Sequence, residues 1–360
     1  MSETKPEAEA QAEPKSSRRA FAPDTRAYAA RAAAKALWWG AAGVAARALA
    51  RPADSKPVEF EPSAEAPPAG FVRRAWLSAF EKDAADVAAG LYPAMDDRPT
   101  DPLAAIRRTA DFIADAMAVE ARRRRGDGAE VRAEAPATYP AYYRQNFHFQ
   151  SGGWFTAESA GRYETQVEAL FAGTAGAMRR RALSLLAKAW KTRDHRGAVV
   201  LDLACGAGGF LGDLDSAFPR ARLVGLDLSP AYLAQAAAVA PRTAFVQGKA
   251  EQLPFADASL DALTCVYLFH ELPPKVRPVV AAEIARVLKP GGAFALADSI
   301  QPVDEPRLGR LLEAFPAYFH EPYFAGYAQT NLTDLFGASG LRLAAEDSAF
   351  LTKAMLFVKA

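Results

Sequence analysis

Two cysteines in 360 residues are too few for a disulfide scaffold, and they fit a reducing compartment. An excess of one charge sign is also missing: 43 Lys and Arg stand against 42 Asp and Glu, a formal net of +1. A chain built to coat nucleic acid or an anionic membrane carries a basic surplus, so nucleic acid is not an expected partner. No uncharged apolar stretch reaches the roughly 18 residues a membrane-crossing helix needs. What is plentiful is apolar surface, at 51% of residues with 10% aromatic, which excludes wholesale disorder. The expectation is a soluble, cytoplasmic, mostly globular protein of two to three units, at roughly 150 residues each.

Three zones differ in texture. Residues 1–70 carry eight of the 25 prolines and open on a Glu/Ala/Pro/Lys stretch, which reads as a disordered tail. Within it, Asp24 to Ala50 reads as a helix holding Leu37, Trp38, Trp39, Val44 and Leu49. Peripheral membrane contact through residues 26–50 stays open beside packing on the protein itself. Ser17-Arg18-Arg19-Ala20-Phe21 has the look of a twin-arginine export motif. However, Asp24, Arg26, Arg31 and Lys35 occupy the place of the apolar segment such a signal requires.

Residues 71–190 read as a helical cap or lid. Val72, Trp76, Phe80 and Val87 share one helix face, and a second helix opens at Pro102 and ends at Arg122-Arg123-Arg124-Arg125-Gly126. Those arginines suit either a phosphate or a solvated helix end. A third, long helix is expected from Ala157 to Trp190. Before it lies the aromatic stretch Tyr139 to Phe155, which suits a small-molecule pocket or a loop packed on the core.

From residue 191 on, short apolar runs alternate with helical segments, the pattern of βαβ units and a parallel sheet covered on both faces. Leu341 to Phe350 and Thr352 to Lys359 form a closing antiparallel pair. The expected fold is α/β, a doubly wound, Rossmann-like, seven-stranded sheet with one antiparallel closing strand, preceded by the N-terminal helical region.

The first strand runs into Leu201-Asp202-Leu203-Ala204-Cys205-Gly206-Ala207-Gly208-Gly209, and the second ends at Asp227, 25 residues after Asp202 (227 − 202). A turn of small residues after a strand lets a ligand approach the backbone, and an acid at the end of the next strand grips ribose hydroxyls. Asp202, just before the loop, would repel a phosphate and attract an ammonium. The ligand is therefore a nucleoside with a cation and no phosphate, a description that S-adenosylmethionine meets.

With those residues in place, the segment Leu201 to Gly208 resembles the first motif of class I S-adenosylmethionine-dependent methyltransferases. Gly225-Leu226-Asp227-Leu228-Ser229-Pro230 resembles their second motif. Gln247 to Phe255 with Ser259-Leu260-Asp261 is similar to their adenine-side segment and fourth strand, and Arg286 to Gly292 to the turn before the fifth strand. The resemblance covers residues 198–360, and the most similar subgroup is that of methyltransferase type 11 and quinone-biosynthesis C-methyltransferases. It implies S-adenosylmethionine as cofactor, with Asp202 holding the methionine ammonium and Gly206 and Gly208 giving backbone access at a loop whose first glycine is Ala204. It further implies that Asp227 binds the ribose, Leu228 lies against adenine and Ala250 offers its N–H. Val266, at the end of the fourth strand, and Glu251 complete that set. Lys249 departs from the pattern, because it stands where the family keeps an acid for the adenine amino group, and a lysine cannot accept that proton. Either Glu251 or a backbone carbonyl then takes the role.

Methyl transfer from a sulfonium is an in-line displacement in which the protein mainly aligns the reactants and excludes water. A base is needed only for a nucleophile that must lose a proton. His270, in Tyr267-Leu268-Phe269-His270-Glu271-Leu272-Pro273 after the fourth strand, is the candidate, against a packing role. Tyr143, His148, Trp154, His320 and Tyr323, in two aromatic segments, are the candidate acceptor contacts. His195 reads as surface, Cys205 and Cys265 as buried thiols, and no Cys/His spacing suggests a metal site. The leading expectation is methyl transfer to a small aromatic or lipophilic acceptor. Two alternatives are a catalytically silent nucleoside-binding module with a regulatory or assembly role, and aminopropyl transfer, for which the acidic markers are missing.

Overall fold

The computed structural model describes residues 25–50, 60–94, 102–133 and 135–360. The Glu/Ala/Pro-rich opening and the Ser17 to Phe21 motif lie outside them.

The apolar runs become strands β1 (Val199–Leu203), β2 (Arg222–Asp227), β3 (Ala244–Gln247), β4 (Leu260–Val266), β5 (Leu288–Ser299), β6 (Leu341–Ala349) and β7 (Thr352–Lys359). They form one seven-stranded sheet in the order β3-β2-β1-β4-β5-β7-β6. β1 to β5 are mutually parallel, and β7 is antiparallel to both β5 and β6, so a single strand is reversed. β4 is buried along nearly its whole length, which explains its mostly apolar sequence, broken only by Asp261 and Thr264.

Successive residues of β1 point to opposite faces. Val200 joins a core with Leu183, Leu186, Leu211, Leu214 and Leu356, while Leu201 joins another with Val280, Ile284, Phe294 and Phe336. Helices α6 (Gly209–Ala217), α7 (Pro230–Val239) and α8 (Arg277–Val287) follow β1, β2 and β4; Pro230 opens α7 and the Ser229 side chain caps it. Between β5 and β6 lie α9 (Gly309–Tyr318), α10 (Phe324–Ala328) and α11 (Leu332–Gly337).

Ahead of the sheet come α1 (Thr25–Ala50), α2 (Ala69–Ala88), α3 (Pro102–Arg125), α4 (Ala157–Leu170) and α5 (Ala175–Ala189). The third helix is thus two helices, not one. Ala172 and Gly173 take left-handed backbone (φ +48° and +86°), and the chain breaks there before α5 starts. The arginine run divides: Arg124 and Arg125 are exposed, as a solvated helix end requires, while the first two turn inward. Arg122 is buried and bonds Glu130, the Phe149 carbonyl and Ser151, and Arg123 bonds the Tyr318 carbonyl at 2.6 Å.

α1 packs on α2, α3 and α4, with Lys35 paired to Glu168 at 2.7 Å and the Tyr28 hydroxyl on Asp83. Its Leu37 remains 76% exposed, and Val44 and Leu49 are exposed as well. Residues after 60 also lie on the body, since Ser63 bonds Glu313 and Phe60 meets Tyr318 edge-on. Among the described residues no helix is long and apolar enough to cross a membrane.

Candidate cofactor and acceptor site

The carboxyl ends of β1, β2 and β4 open into one cleft, where a parallel sheet places its ligands. β1 ends in a loop with left-handed backbone at Ala204 (φ +56°), Gly206 (φ +54°) and Gly208 (φ +86°). A side chain at Gly208 would meet Ala236 of α7 at 2.9 Å, so glycine is required there by both backbone and space. At Ala204 the Cβ is tolerated at a steric cost of about 1 kcal/mol.

Asp227 ties the loop to β2. Its two oxygens accept the Gly206 and Ser229 amides at 2.9 and 2.8 Å. Burial pushes its carboxyl up to about 6 even so, because two backbone hydrogen bonds only partly offset the loss of water. Asp202 lies behind the loop, 2% exposed, with the Thr264 hydroxyl on its Oδ1 at 2.6 Å. Burial again dominates and raises it to about 7.

The cleft is partly open to solvent. Its cofactor-side wall includes Ala204, Gly206, Asp227, Leu228, Lys249, Ala250, Glu251 and Val266, all expected from the sequence. Asp202 and Gly208 support the loop without lining the cleft. Near Lys249, at the expected adenine end, Glu251 Oε1 accepts the Tyr142 hydroxyl at 2.7 Å, while Oε2 is buried without a partner. An orphaned carboxylate oxygen has the acceptor capacity that a lysine lacks.

The opposite wall is aromatic, formed by Tyr142, Tyr143, Phe147, Trp154, Tyr163 and Tyr232. Trp154, Tyr163 and Tyr232 pack edge-to-face with centroids 5.4–5.7 Å apart. The Trp154 carbonyl accepts the Ser229 hydroxyl at 2.5 Å, so the wall is fastened to the turn that also holds Asp227. Buried carboxylates, a loop of small residues, an unpaired acceptor and apolar walls fit a nucleoside that carries an ammonium.

A profile described as a methyltransferase domain matches residues 200–292. An uncharacterized methyltransferase of Synechocystis is 42% identical over 106 residues, covering 29% of this chain and 49% of that protein. A probable phthiotriol/phenolphthiotriol dimycocerosates methyltransferase of Mycobacterium ulcerans is 42% identical over 114 residues, covering 31% and 43%. This chain therefore spans about half the length of those two relatives. The ubiquinone/menaquinone biosynthesis C-methyltransferase of Desulfotalea psychrophila is 30% identical over 205 residues, covering 50% of this chain and 78% of the relative. The chain belongs to the class I S-adenosylmethionine-dependent methyltransferases.

In this methyltransferase the remaining expected residues divide. Tyr143 and Trp154 line the cleft; His148, His320, Tyr323 and His270 do not. His320 Nε2 bonds Gln145 at 2.8 Å, and Tyr323 packs on Phe147 with centroids 6.5 Å apart. Both support the aromatic wall from behind. His270 is buried with Nδ1 on Asp298 Oδ1 at 2.6 Å. Burial works to lower its basicity, but the Asp298 charge and hydrogen bond outweigh it and raise the imidazole to about 9. Asp298 Oδ2 also accepts the Phe269 amide, so this pair fixes the turn that carries Tyr267, Leu268 and Glu271 into the cleft.

His148, with left-handed backbone at φ +56°, points Nε2 at Glu321 Oε1 (3.2 Å) and Glu271 Oε1 (3.8 Å). Burial lowers its basicity and the two carboxylates more than restore it. Its ring lies against Phe315 and Phe319. Sequence reasoning missed Glu271, although it sits beside His270, because nothing in the spacing shows which of the two side chains faces the cleft. Tyr163 and Tyr232 were also missed, since each reads as one more apolar position on a helix.

Proposed function

We propose that this methyltransferase moves the methyl group of S-adenosylmethionine to a small acceptor with an aromatic or lipophilic body. The observation that carries the reading is the double lining of one cleft, with glycine loop and ribose acid on one side and six aromatic rings on the other. The cofactor supplies an electrophilic methyl on a sulfonium. The protein's part is to position and to exclude water.

In this reading Asp227 holds the ribose and Asp202 draws the ammonium from behind the loop. Glu251 Oε2 and the Ala250 amide receive the adenine edge. Tyr143 and Trp154 wall the acceptor, backed by His320 and Tyr323. His270 acts as a positioning residue, because its Nδ1 is committed to Asp298 and its ring stands outside the cleft. Glu271, whose side chain reaches the cleft, is the group presented to the acceptor.

Relatives named for quinone and phthiotriol substrates act on molecules with long apolar parts, which agrees with the aromatic wall. The exposed Leu37, Val44 and Leu49 on α1 give a surface by which the protein would meet a membrane that holds such an acceptor. Mass spectrometry of metabolites that gain one methyl group, in a deletion strain against wild type, tests the reading. A product that accumulates only in the wild type supports it. If the protein binds S-adenosylmethionine and no metabolite changes, it is the silent module.

A further inference from the structure

Beside the cleft, three ligand-type atoms from distant parts of the chain converge: His148 Nε2, Glu271 Oε1 and Glu321 Oε1. All lie within 4.8 Å of one another. Three separate segments supply them, namely the aromatic stretch before α4, the turn after β4 and the loop between α9 and α10. Helix spacing or a hairpin therefore does not account for the grouping.

A second observation points to a ligand. Glu321 is 4% exposed, and neither of its carboxylate oxygens has a hydrogen-bond partner among the described residues. The His148 nitrogen stands 3.2 Å from Oε1 but is not aligned to donate to it. A buried carboxylate stripped of water and left without hydrogen bonds is costly, and native proteins use such groups where an ion or ordered water completes them.

We infer that His148, Glu271 and Glu321 form a binding site for one divalent first-row metal ion at the edge of the acceptor cleft. Donor atoms about 2.1 Å from such a metal stand about 3.0–3.4 Å apart around it. The His148–Glu321 pair already has that separation, the His148–Glu271 pair is 0.6 Å wider than it (3.8 − 3.2), and the Glu271 side chain is partly exposed and free to close the gap. One imidazole with two carboxylates suits manganese, iron or zinc better than calcium, which prefers oxygen alone. Phe315 and Phe319 against the His148 ring hold it in one orientation.

Because Glu271 belongs to both the cluster and the cleft, a metal held there would stand beside the acceptor and supply a Lewis acid to it. The acceptor class is then one with a phenolic, enolic or carbonyl oxygen near the carbon or oxygen that receives the methyl group. That part rests on the methyl-transfer reading; metal binding itself does not.

The test uses untagged full-length protein, stripped with chelator and titrated with Mn²⁺ and with Zn²⁺, followed by calorimetry and by Mn²⁺ electron paramagnetic resonance. One equivalent is expected to bind to wild type. Glu321→Gln, which keeps the volume of the side chain, and Glu271→Gln are each expected to weaken binding by at least about 100-fold, since even outer partners of metal ligands are worth 10–100-fold. Thermal melting of both variants establishes that they are folded. A wild type that binds less than a tenth of an equivalent overturns the inference, and so does equal binding by folded variants, which marks an adventitious ion only. S-adenosylmethionine binding is measured on the same samples: metal without cofactor keeps this site and sinks the methyl-transfer reading, and cofactor without metal does the reverse.

Discussion

The Tyr142 hydroxyl donates to Glu251 Oε1 at 2.7 Å, joining the aromatic segment ahead of the sheet to the adenine end of the cofactor cleft. Oε1 of this carboxylate fixes the wall, and Oε2 is left without a partner, the acceptor proposed for adenine. Glu251→Gln keeps the shape but turns one oxygen into a donor, and S-adenosylmethionine affinity is expected to fall by about 1–3 kcal/mol, roughly 5- to 150-fold. Tyr142→Phe is expected to cost less, because it frees Oε1 without removing the acceptor. Calorimetry on both variants gives the order, and a larger loss for Tyr142→Phe contradicts it.

Cofactor affinity is expected to depend on pH through two acids. In the ligand-free fold burial raises Asp227 to about 6 and Asp202 to about 7, above the ordinary value near 3.9. Both hold a proton in the fold where the unfolded chain has lost it, so their contribution to stability falls as pH rises from about 4 to about 7. Binding an ammonium needs the ionised Asp202, so affinity moves the other way and strengthens over the same window. Titrations at pH 5.5 and pH 8 are expected to differ by roughly tenfold or more, and Asp202→Asn is expected to flatten the upper part of that dependence.

Ala204 occupies left-handed backbone at the first position of the loop. Ala204→Gly is expected to relieve that strain, leaving cofactor affinity within about twofold and raising stability by up to about 1 kcal/mol. Urea midpoints measure it, and a loss of more than 1 kcal/mol would show that the Cβ packs usefully.

Between α2 and α5, the buried Asp83 accepts Arg180 through both oxygens (2.8 and 2.7 Å) and the Tyr92 hydroxyl (2.8 Å), while Arg181 bonds Asp86 at 2.6 Å. Burial alone would raise Asp83, but the Arg180 charge and these hydrogen bonds hold it below the usual range. Its contribution to stability is thus present at neutral pH and is lost as pH falls below about 4. Asp83→Ala removes the two-oxygen partner of the buried Arg180, leaving it the longer contact to Asp213 at 3.4 Å, and is expected to cost about 3–5 kcal/mol by chemical denaturation.

Much of the sheet and the cofactor wall was legible in the sequence. Strands buried on both faces write themselves as nearly continuous apolar runs, and Gly206, Gly208 and Asp227 stand at the spacing of a strand–turn–helix loop followed by a strand-end acid. The helical half hid more. Ala172-Gly173 looks like two more residues of one helix until the backbone turns left-handed. Nothing local marks Arg180 and Arg181 as internal; the tertiary placement of Asp83 and Asp86 is what buries them. The imidazoles were hardest, because whether His148, His270 and His320 face a ligand or a carboxylate depends on residues far away in the chain.

Calorimetry of the full chain with S-adenosylmethionine, wild type against Asp227→Ala, tests the central claim most directly. One equivalent bound by wild type, with affinity lowered at least about 30-fold by the substitution, is the expected result, since a charged acceptor of two ribose hydroxyls contributes about 2–3 kcal/mol. No binding by the wild type, or equal binding by a folded Asp227→Ala, would contradict the account.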